Sequence, residues 1–397
     1  MNNRALVVLI ACFFTIFTAY AIRYGYGILL PEMLPALAIT KTEAGVIYSS
    51  FFIAYTVMSP ILGLLGDRYD VRLLLSLFVA ILGAGTFLMA YSSSIIQASL
   101  FFALAGIGAA ACWAPVMAVA QRWTSDEHRG KTLAFVDVGS SLGIVGSSTA
   151  VTAIIAAYSW ETGWMSLGIL AFVVAAMDIL MVRNPPGWQS LTRKTESAQP
   201  VHDSIGKTYA QLLRDSKFWL IGIAYLLIAF SVIIPFTFLS TFAVEELEFS
   251  FESSARLITV IGVGATLGKL ALGALSDKIG RIKVMMLCSL LVAVGSLGMA
   301  FGEGWALFFF TAVFSPGFGA FWPMYAAVAS DYFPKERAGS IIGLWTVFMG
   351  VGSIISPVVA GWIADTSGTL SWSFVLASAG AVISFLLLMP VWTMKKS

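Results

Sequence analysis

The sequence predicts an all-α membrane protein whose twelve transmembrane helices form two six-helix bundles. Three observations predict it. The chain of 397 residues is 59% hydrophobic and only 11% charged, whereas a soluble domain carries about 25% charged residues. Apolar runs of about 20 residues, long enough to cross a bilayer as helix, recur along its whole length. A short charged hinge also occurs twice, as GLLGDRYDVR from Gly63 and GALSDKIGRIK from Gly273. Subtraction gives 273 − 63 = 210, and the same 210 separates Asp277 from Asp67 and Lys278 from Arg68. A hinge repeated at half-chain spacing makes the chain a duplication.

Taken in order, the runs fall at about 5–30, 43–66, 72–91, 95–121, 130–157 and 163–182, then 218–243, 254–275, 282–301, 305–329, 338–363 and 371–393. The first has no cleavage-site pattern after it and ends at Pro31-Glu32, so it reads as a retained span and not as a signal peptide. Between the sixth and seventh runs, 183–217 holds Pro185, Pro186, Gly187 and Pro200 among scattered charges and reads as a surface linker. The expected division is therefore 1–182, 183–217 and 218–397. YAQLLRDSKFW from Tyr209 is amphipathic and is expected at the membrane interface before the seventh span.

Charge sets the orientation. Of the 23 basic residues, all but Arg23, Lys41, Arg256 and Lys269 lie on the side shared by the termini and the linker, which is 23 − 4 = 19. The opposite side carries Glu161, Glu245, Glu246, Glu248, Glu252, Glu303 and Asp365. The positive-inside rule then puts both termini and the linker in the cytoplasm of a cell with this protein in its (inner) membrane.

Several function classes are excluded. Cys12, Cys112 and Cys288 lie inside apolar runs, without disulfide or metal-ligand spacing. No Walker loop, metal cluster or nucleophile–base arrangement occurs, so neither an ATP-driven pump nor a membrane enzyme is expected, and no cofactor or nucleic-acid partner. GVGATLG from Gly262 sits mid-span with no strand before it, so its glycines read as close helix packing.

Both hinges resemble the signature loop of the major facilitator superfamily, G-x-x-x-D-[RK]-x-G-[RK]. The second copy fits it, and the first has Asp70 where the family has glycine, which predicts a less tight turn. The halves match further: Gly106, Gly108 and Pro115 in span four answer Gly317, Gly319 and Pro323 in span ten, and SDEHRG answers PKERAG. The resemblance implies the major facilitator fold and secondary transport around a midplane site. It also implies a gate built from Asp67 and Arg68 in the first hinge and from Asp277, Lys278 and Arg281 in the second.

Within the superfamily, RGKTLAFVDVGSSLG from Arg129, with Gly139, Ser140 and Gly143, is similar to the monocarboxylate and oxalate/formate branch. YGYGILLPEM and LLRDSKFW agree with that branch. Phe102 stands where drug-efflux members carry an arginine. Lys269 stands at the branch's arginine position in span eight, and the branch's acidic-aromatic start of span one is missing. The branch implies a small organic anion as substrate, a monocarboxylate or dicarboxylate moved with protons or by exchange, and a monomeric carrier.

Ionisable groups inside spans are costly and mark function. Lys269 lies eight residues before Asp277 and Asp137 eight after Arg129, each about 12 Å in from the terminal face. Small residues flank both, and in the superfamily fold spans five and eight adjoin, so an ion pair is within reach. Arg23 lies eight residues before Pro31, about 12 Å below the opposite face. Alternatives remain open: Lys269 snorkelling to headgroups, Asp137 as a non-titrating structural partner, Arg23 as a surface anchor. Trp113 and Trp322 sit on spans four and ten, which line the cavity in this fold. Arg23, Lys269, Trp113 and Trp322 are thus the candidate substrate-binding residues, and Asp137 the candidate coupling residue. Efflux of amphipathic compounds and a non-transporting sensor are the competing readings.

Overall fold

A computed structural model describes residues 3–125, 129–184, 214–333 and 338–394, with the side chains of 63, 64, 66–68, 129 and 338–340 outside that description. Regular structure among these residues is helical: α1 Asn3–Leu37, α2 Lys41–Arg68, α3 Val71–Met89, α4 Ile95–Ala109, α5 Ala114–Arg122, α6 Arg129–Ala157, α7 Trp160–Met181, α8 Ser216–Glu245, α9 Phe251–Ile279, α10 Arg281–Phe301, α11 Trp305–Tyr332, α12 Ala338–Ser367 and α13 Ser371–Thr393. Twelve of these segments are long and apolar enough to cross a membrane, counting α4 and α5 as one span. Side-chain oxygens fix many of the starts. Thr40, Asp70, Ser94, Ser159, Asp215 and Ser250 each accept a backbone N–H from the first turn of the helix they precede, each worth about 1 kcal/mol.

Two spans differ from the sequence reading. Proline was expected to end the first, yet α1 runs through Pro31 and Pro35 to Leu37. A mid-helix proline costs about 3 kcal/mol, which here is offset by burial of Leu30, Met33 and Leu34. The second difference is in span four, which is broken at 110–113. Pro115 has no N–H to return to Ala111 and disfavours helical geometry in the residue before it, so the ladder restarts at α5 with proline in its first turn.

The two hinges differ as the sequence suggests. One residue, Gly280, joins α9 to α10 at φ 96°, a left-handed conformation that glycine adopts without strain. Two residues, Tyr69 and Asp70, join α2 to α3, and Asp70 at φ −61° accepts the Arg72 N–H at 2.9 Å. The expected linker falls largely outside the described residues, as does most of the amphipathic segment; the described chain resumes at Arg214, and Asp215 caps α8.

Among the first six spans α1 packs on α6, α3 on α7 and α2 on α4; among the last six α10 packs on α11 and α13, α9 on α11 and α8 on α12. Three main pairings join the two sets: α1 with α8, α2 with α12 and α6 with α9. At the first, a Cβ on Gly27 would collide with the Phe236 carbonyl oxygen, so only glycine permits that approach. Outward faces carry exposed Leu77, Leu180, Leu267 and Trp362, as a hydrocarbon surround requires. The seam between α2 and α12 is closed on the side away from the termini, where Gly45 meets Pro357 and Gly361 meets Lys41.

Candidate functional site

Arg23 lies close to the midpoint of α1, because the helix continues past Pro31 to Leu37. From that end it is 37 − 23 = 14 residues in, about 21 Å, and not the 12 Å expected. Its residue is only 9% exposed. The guanidinium sits among four rings, 4.7 Å from the Tyr55 centroid, 5.1 Å from Tyr20, 5.3 Å from Phe51 and 5.5 Å from Phe52. One helix turn places Tyr20 beside Arg23, and α2 supplies the other three. The Tyr48 hydroxyl donates to the Arg23 carbonyl at 3.1 Å and ties the two helices together. Nε has no hydrogen-bond partner, and among the described residues no carboxylate pairs with the guanidinium. Desolvating one ion costs several kcal/mol, and each cation–π contact returns about 0.5–2 kcal/mol. The rings therefore hold the cation without neutralising it.

Asp137 and Lys269 meet, as their positions on spans five and eight predict. Lys269 Nζ lies 2.8 Å from Asp137 Oδ2. It also donates to Ser140 Oγ at 2.6 Å and to the Asp137 carbonyl at 3.4 Å. All three donors of the ammonium are thus engaged, which removes the snorkelling alternative for this conformation. The Trp113 indole N–H points at Asp137 Oδ1 from 3.5 Å; the break between α4 and α5 puts Trp113 there. Further along the same crossing, the Ser148 and Thr259 hydroxyls lie 2.7 Å apart.

α1, which carries Tyr20 and Arg23, packs along α6, which carries Asp137. Tyr24, the neighbour of Arg23, packs on Phe236 of α8 at 4.0 Å and edge-on against Phe318 of α11 at 6.1 Å, and Phe318 lies 6.2 Å from Trp322. Tyr225 stacks on Tyr325 of α11 at 3.7 Å, and Trp322 packs edge-on against Tyr225 at 5.7 Å. The Tyr325 hydroxyl is buried without a hydrogen-bond partner. Packing therefore links the neighbour of Arg23 to Trp322 through Phe318, and Trp113, Asp137 and Lys269 to one another, each group drawing on both sets of spans.

The hinge residues stay apart from it. Asp277 and Lys278 are exposed, and among the described residues Asp277 has no ion pair or hydrogen bond. Arg281 instead pairs with Asp331 of α11 at 2.5 Å and reaches the Ala327 carbonyl at 3.1 Å. The side chains of Asp67 and Arg68 lie outside the described residues.

Sequence reasoning missed three participants. Tyr20 was findable, one turn from Arg23; Tyr55 carried no signal beyond being an aromatic residue in an apolar run. Asp178, an acid within the sixth run, was overlooked. It is fully buried and accepts the Thr15 hydroxyl at 2.9 and 3.0 Å from its two oxygens. Among the described residues no group of three or more His, Cys, Asp or Glu side chains could hold a metal. A shallow depression lined by Phe249, Ser253, Gly304, Trp305 and Phe308 lies on the face away from the termini and holds no charge.

Residues 12–268 and 256–396 match the profile of the Major Facilitator Superfamily. The hexuronate transporter of Bacillus subtilis is 26% identical over 92% of this chain and 90% of its own length. The membrane sensor protein UhpC of Escherichia coli is 25% identical over 95% and 90%. Monocarboxylate transporter 12 of Xenopus laevis is 22% identical over 96% and 87%. Among solved structures, the nucleoside transporter NupG superposes with a TM-score of 0.78 at 15% identity, covering 99% of this chain and 100% of that one.

Proposed function

The chain belongs to the Major Facilitator Superfamily, a family of transporters, and from that premise we propose that it is a secondary active transporter of a small organic anion, a monocarboxylate or dicarboxylate. One observation carries the reading: Arg23 is buried near the middle of α1 between aromatic rings with no carboxylate partner among the described residues. A buried cation lacking its counter-ion is an anion site waiting for its ligand. Relatives named as hexuronate, monocarboxylate and hexose phosphate transporters are all named for organic anions, which supports an anionic substrate.

The bundles, 1–182 and 218–397, rock about the site, with 183–217 linking them on the cytoplasmic side and the protein acting as a monomer. The closed seam between α2 and α12 fits a carrier shut on its outer face. In this conformation Lys269 serves Asp137 and Ser140, so Arg23 meets the anion first. Lys269 reaches it only when Asp137 lets go, by exchange of one anion for another or by taking a proton. The anion bridges Arg23 of one bundle and Lys269 of the other only when both approach, and that differential affinity drives closure. Tyr225, Tyr325 and Trp322 form an aromatic cluster in the second bundle.

The test is a thermal-shift screen of purified protein against small carboxylates and neutral sugars, followed by flux measurement in proteoliposomes. Stabilisation by carboxylates and counterflow of the best of them support the proposal; stabilisation only by neutral sugars sinks it. The relation to a protein named as a sensor favours one second reading, binding without transport. A carboxylate that binds in the screen and shows no flux selects it.

A further inference from the structure

We propose that Asp365, Lys41 and Glu245 form a latch that holds the two sets of six spans closed on the face opposite the termini. The inference goes beyond the substrate and does not depend on it. α2 begins at Lys41, and its first N–H groups have no partner within the helix. The Asp365 carboxylate, from the last turns of α12, takes two of them: the Lys41 N–H at 3.1 Å and the Thr42 N–H at 2.8 Å. It also accepts the Thr42 hydroxyl at 2.5 Å. Locally, Thr40 and Glu43 close a capping box over two further N–H groups, those of Glu43 and Thr40. The start of α2 is thus capped half by its own chain and half by a helix from the last six spans. Alongside, Lys41 Nζ pairs with Glu245 Oε2 of α8 at 2.8 Å. Three helices, α2, α8 and α12, meet at one charged point.

The sequence explains how α12 comes so close. Gly361 and Asp365 stand at G-x-x-x-D spacing, as do Gly63 and Asp67 in one hinge and Gly273 and Asp277 in the other. A Cβ on Gly361 would collide with the Lys41 carbonyl oxygen, so the glycine admits the start of α2 and the aspartate one turn later caps it. The hinges lie on the terminal face; this third G-x-x-x-D lies on the other. In the conformation seen, the acid of the second hinge is exposed, with no partner among the described residues, and the acid of the third is fully engaged. A carboxylate against a helix N-terminus is stabilised by the macrodipole and by direct hydrogen bonds. Both Lys41 and Glu245 keep part of their surface in solvent, at 23% and 33% exposure, so parting them returns charges to water and strands none in the interior. That is the energetics of a contact made to open.

The experiment uses the purified full-length protein without ligand, spin-labelled at cysteines introduced at Ser93 and Glu303, exposed positions on that face in the first and last six spans. Cys12, Cys112 and Cys288 are buried and stay unlabelled. Pulsed dipolar spectroscopy then reads the ratio of long to short distances. Asp365→Ala is expected to raise that ratio about 10-fold, equivalent to about 1.4 kcal/mol. Lys41→Met and Glu245→Gln are each expected to raise it about 3-fold, and the two together no further, because they break one contact. These two exposed-side substitutions keep the test open should Asp365→Ala fold poorly. Unchanged distance distributions in all three variants overturn the latch, as does independent addition of the Lys41 and Glu245 effects.

Discussion

Replacing Arg23 by methionine separates binding from stability more sharply than any other single change. Methionine keeps most of the aliphatic volume inside the cage of Tyr20, Phe51, Phe52 and Tyr55 and removes the charge. In the ligand-free protein the guanidinium bears a desolvation cost of several kcal/mol. Four ring contacts at 4.7–5.5 Å recover part of it, about 0.5–2 kcal/mol each and less than additively. No carboxylate among the described residues recovers the rest. Replacing even a paired buried charge by apolar volume is often neutral or stabilises by about 1–4 kcal/mol, and Arg23 has no carboxylate partner to strand among the described residues, so Arg23→Met is expected to raise the melting temperature of the empty protein. Its effect on ligand is the reverse. Hydrogen bonds to a charged group contribute about 1.5–3 kcal/mol, and at about 1.4 kcal/mol per factor of ten a carboxylate should bind roughly 10- to 150-fold more weakly. Differential scanning fluorimetry and calorimetry on the same preparation read both quantities. A variant that melts lower and binds carboxylates with unchanged affinity refutes the reasoning, and makes Arg23 a clamp for the rings around it.

Three further outcomes are expected for the ionisable groups, and one for topology. Lys269→Ala leaves Asp137, among the described residues, with the long contact from Trp113 and should lose carboxylate binding, while Lys269→Arg keeps part of it; a double-mutant cycle with Asp137→Asn should show coupling of about 0.5–3 kcal/mol, and additivity within error argues against the pair. Asp137→Asn alone should leave binding intact and abolish any proton uptake that accompanies it, which calorimetry in two buffers of different ionisation enthalpy would register. Asp277→Asn removes a charge that the observed conformation leaves exposed, so it should cost the fold little and raise the share of molecules open on the terminal face; unchanged transport and unchanged accessibility of cavity cysteines would tell against a gate. Cysteines at Ser190 and Ser250 should react from opposite sides of the membrane in cells, Ser250 from outside, and labelling of Ser190 by an impermeant reagent would invert the orientation.

The spans were legible because composition alone enforces them: a stretch such as that from Trp160 to Met181 has no stable place in water. Asp137 and Lys269 were legible for a related reason, since charges placed so expensively need each other, and helical rise fixes their depth from the hinge. What escaped was set by tertiary contact. The depth of Arg23 was misjudged because Pro31 was read as the end of α1, whereas burial of Met33 and Leu34 carries the helix onward. The break at 110–113 had a local sign in Pro115, but an isolated proline reads equally as a kink. Tyr55 and Tyr225 gain their roles only from the helices that bring them to Arg23 and Tyr325, and no spacing along the chain encodes that. The latch shows the limit most clearly. G-x-x-x-D at Gly361 repeats the hinge spacing in plain view, but without a basic residue after it the run does not match the signature. Its meaning depends on which helix start lies opposite. Since the start of α2 lies there, the carboxylate that sequence spacing alone would assign to a turn instead spans the seam between the two sets of six spans.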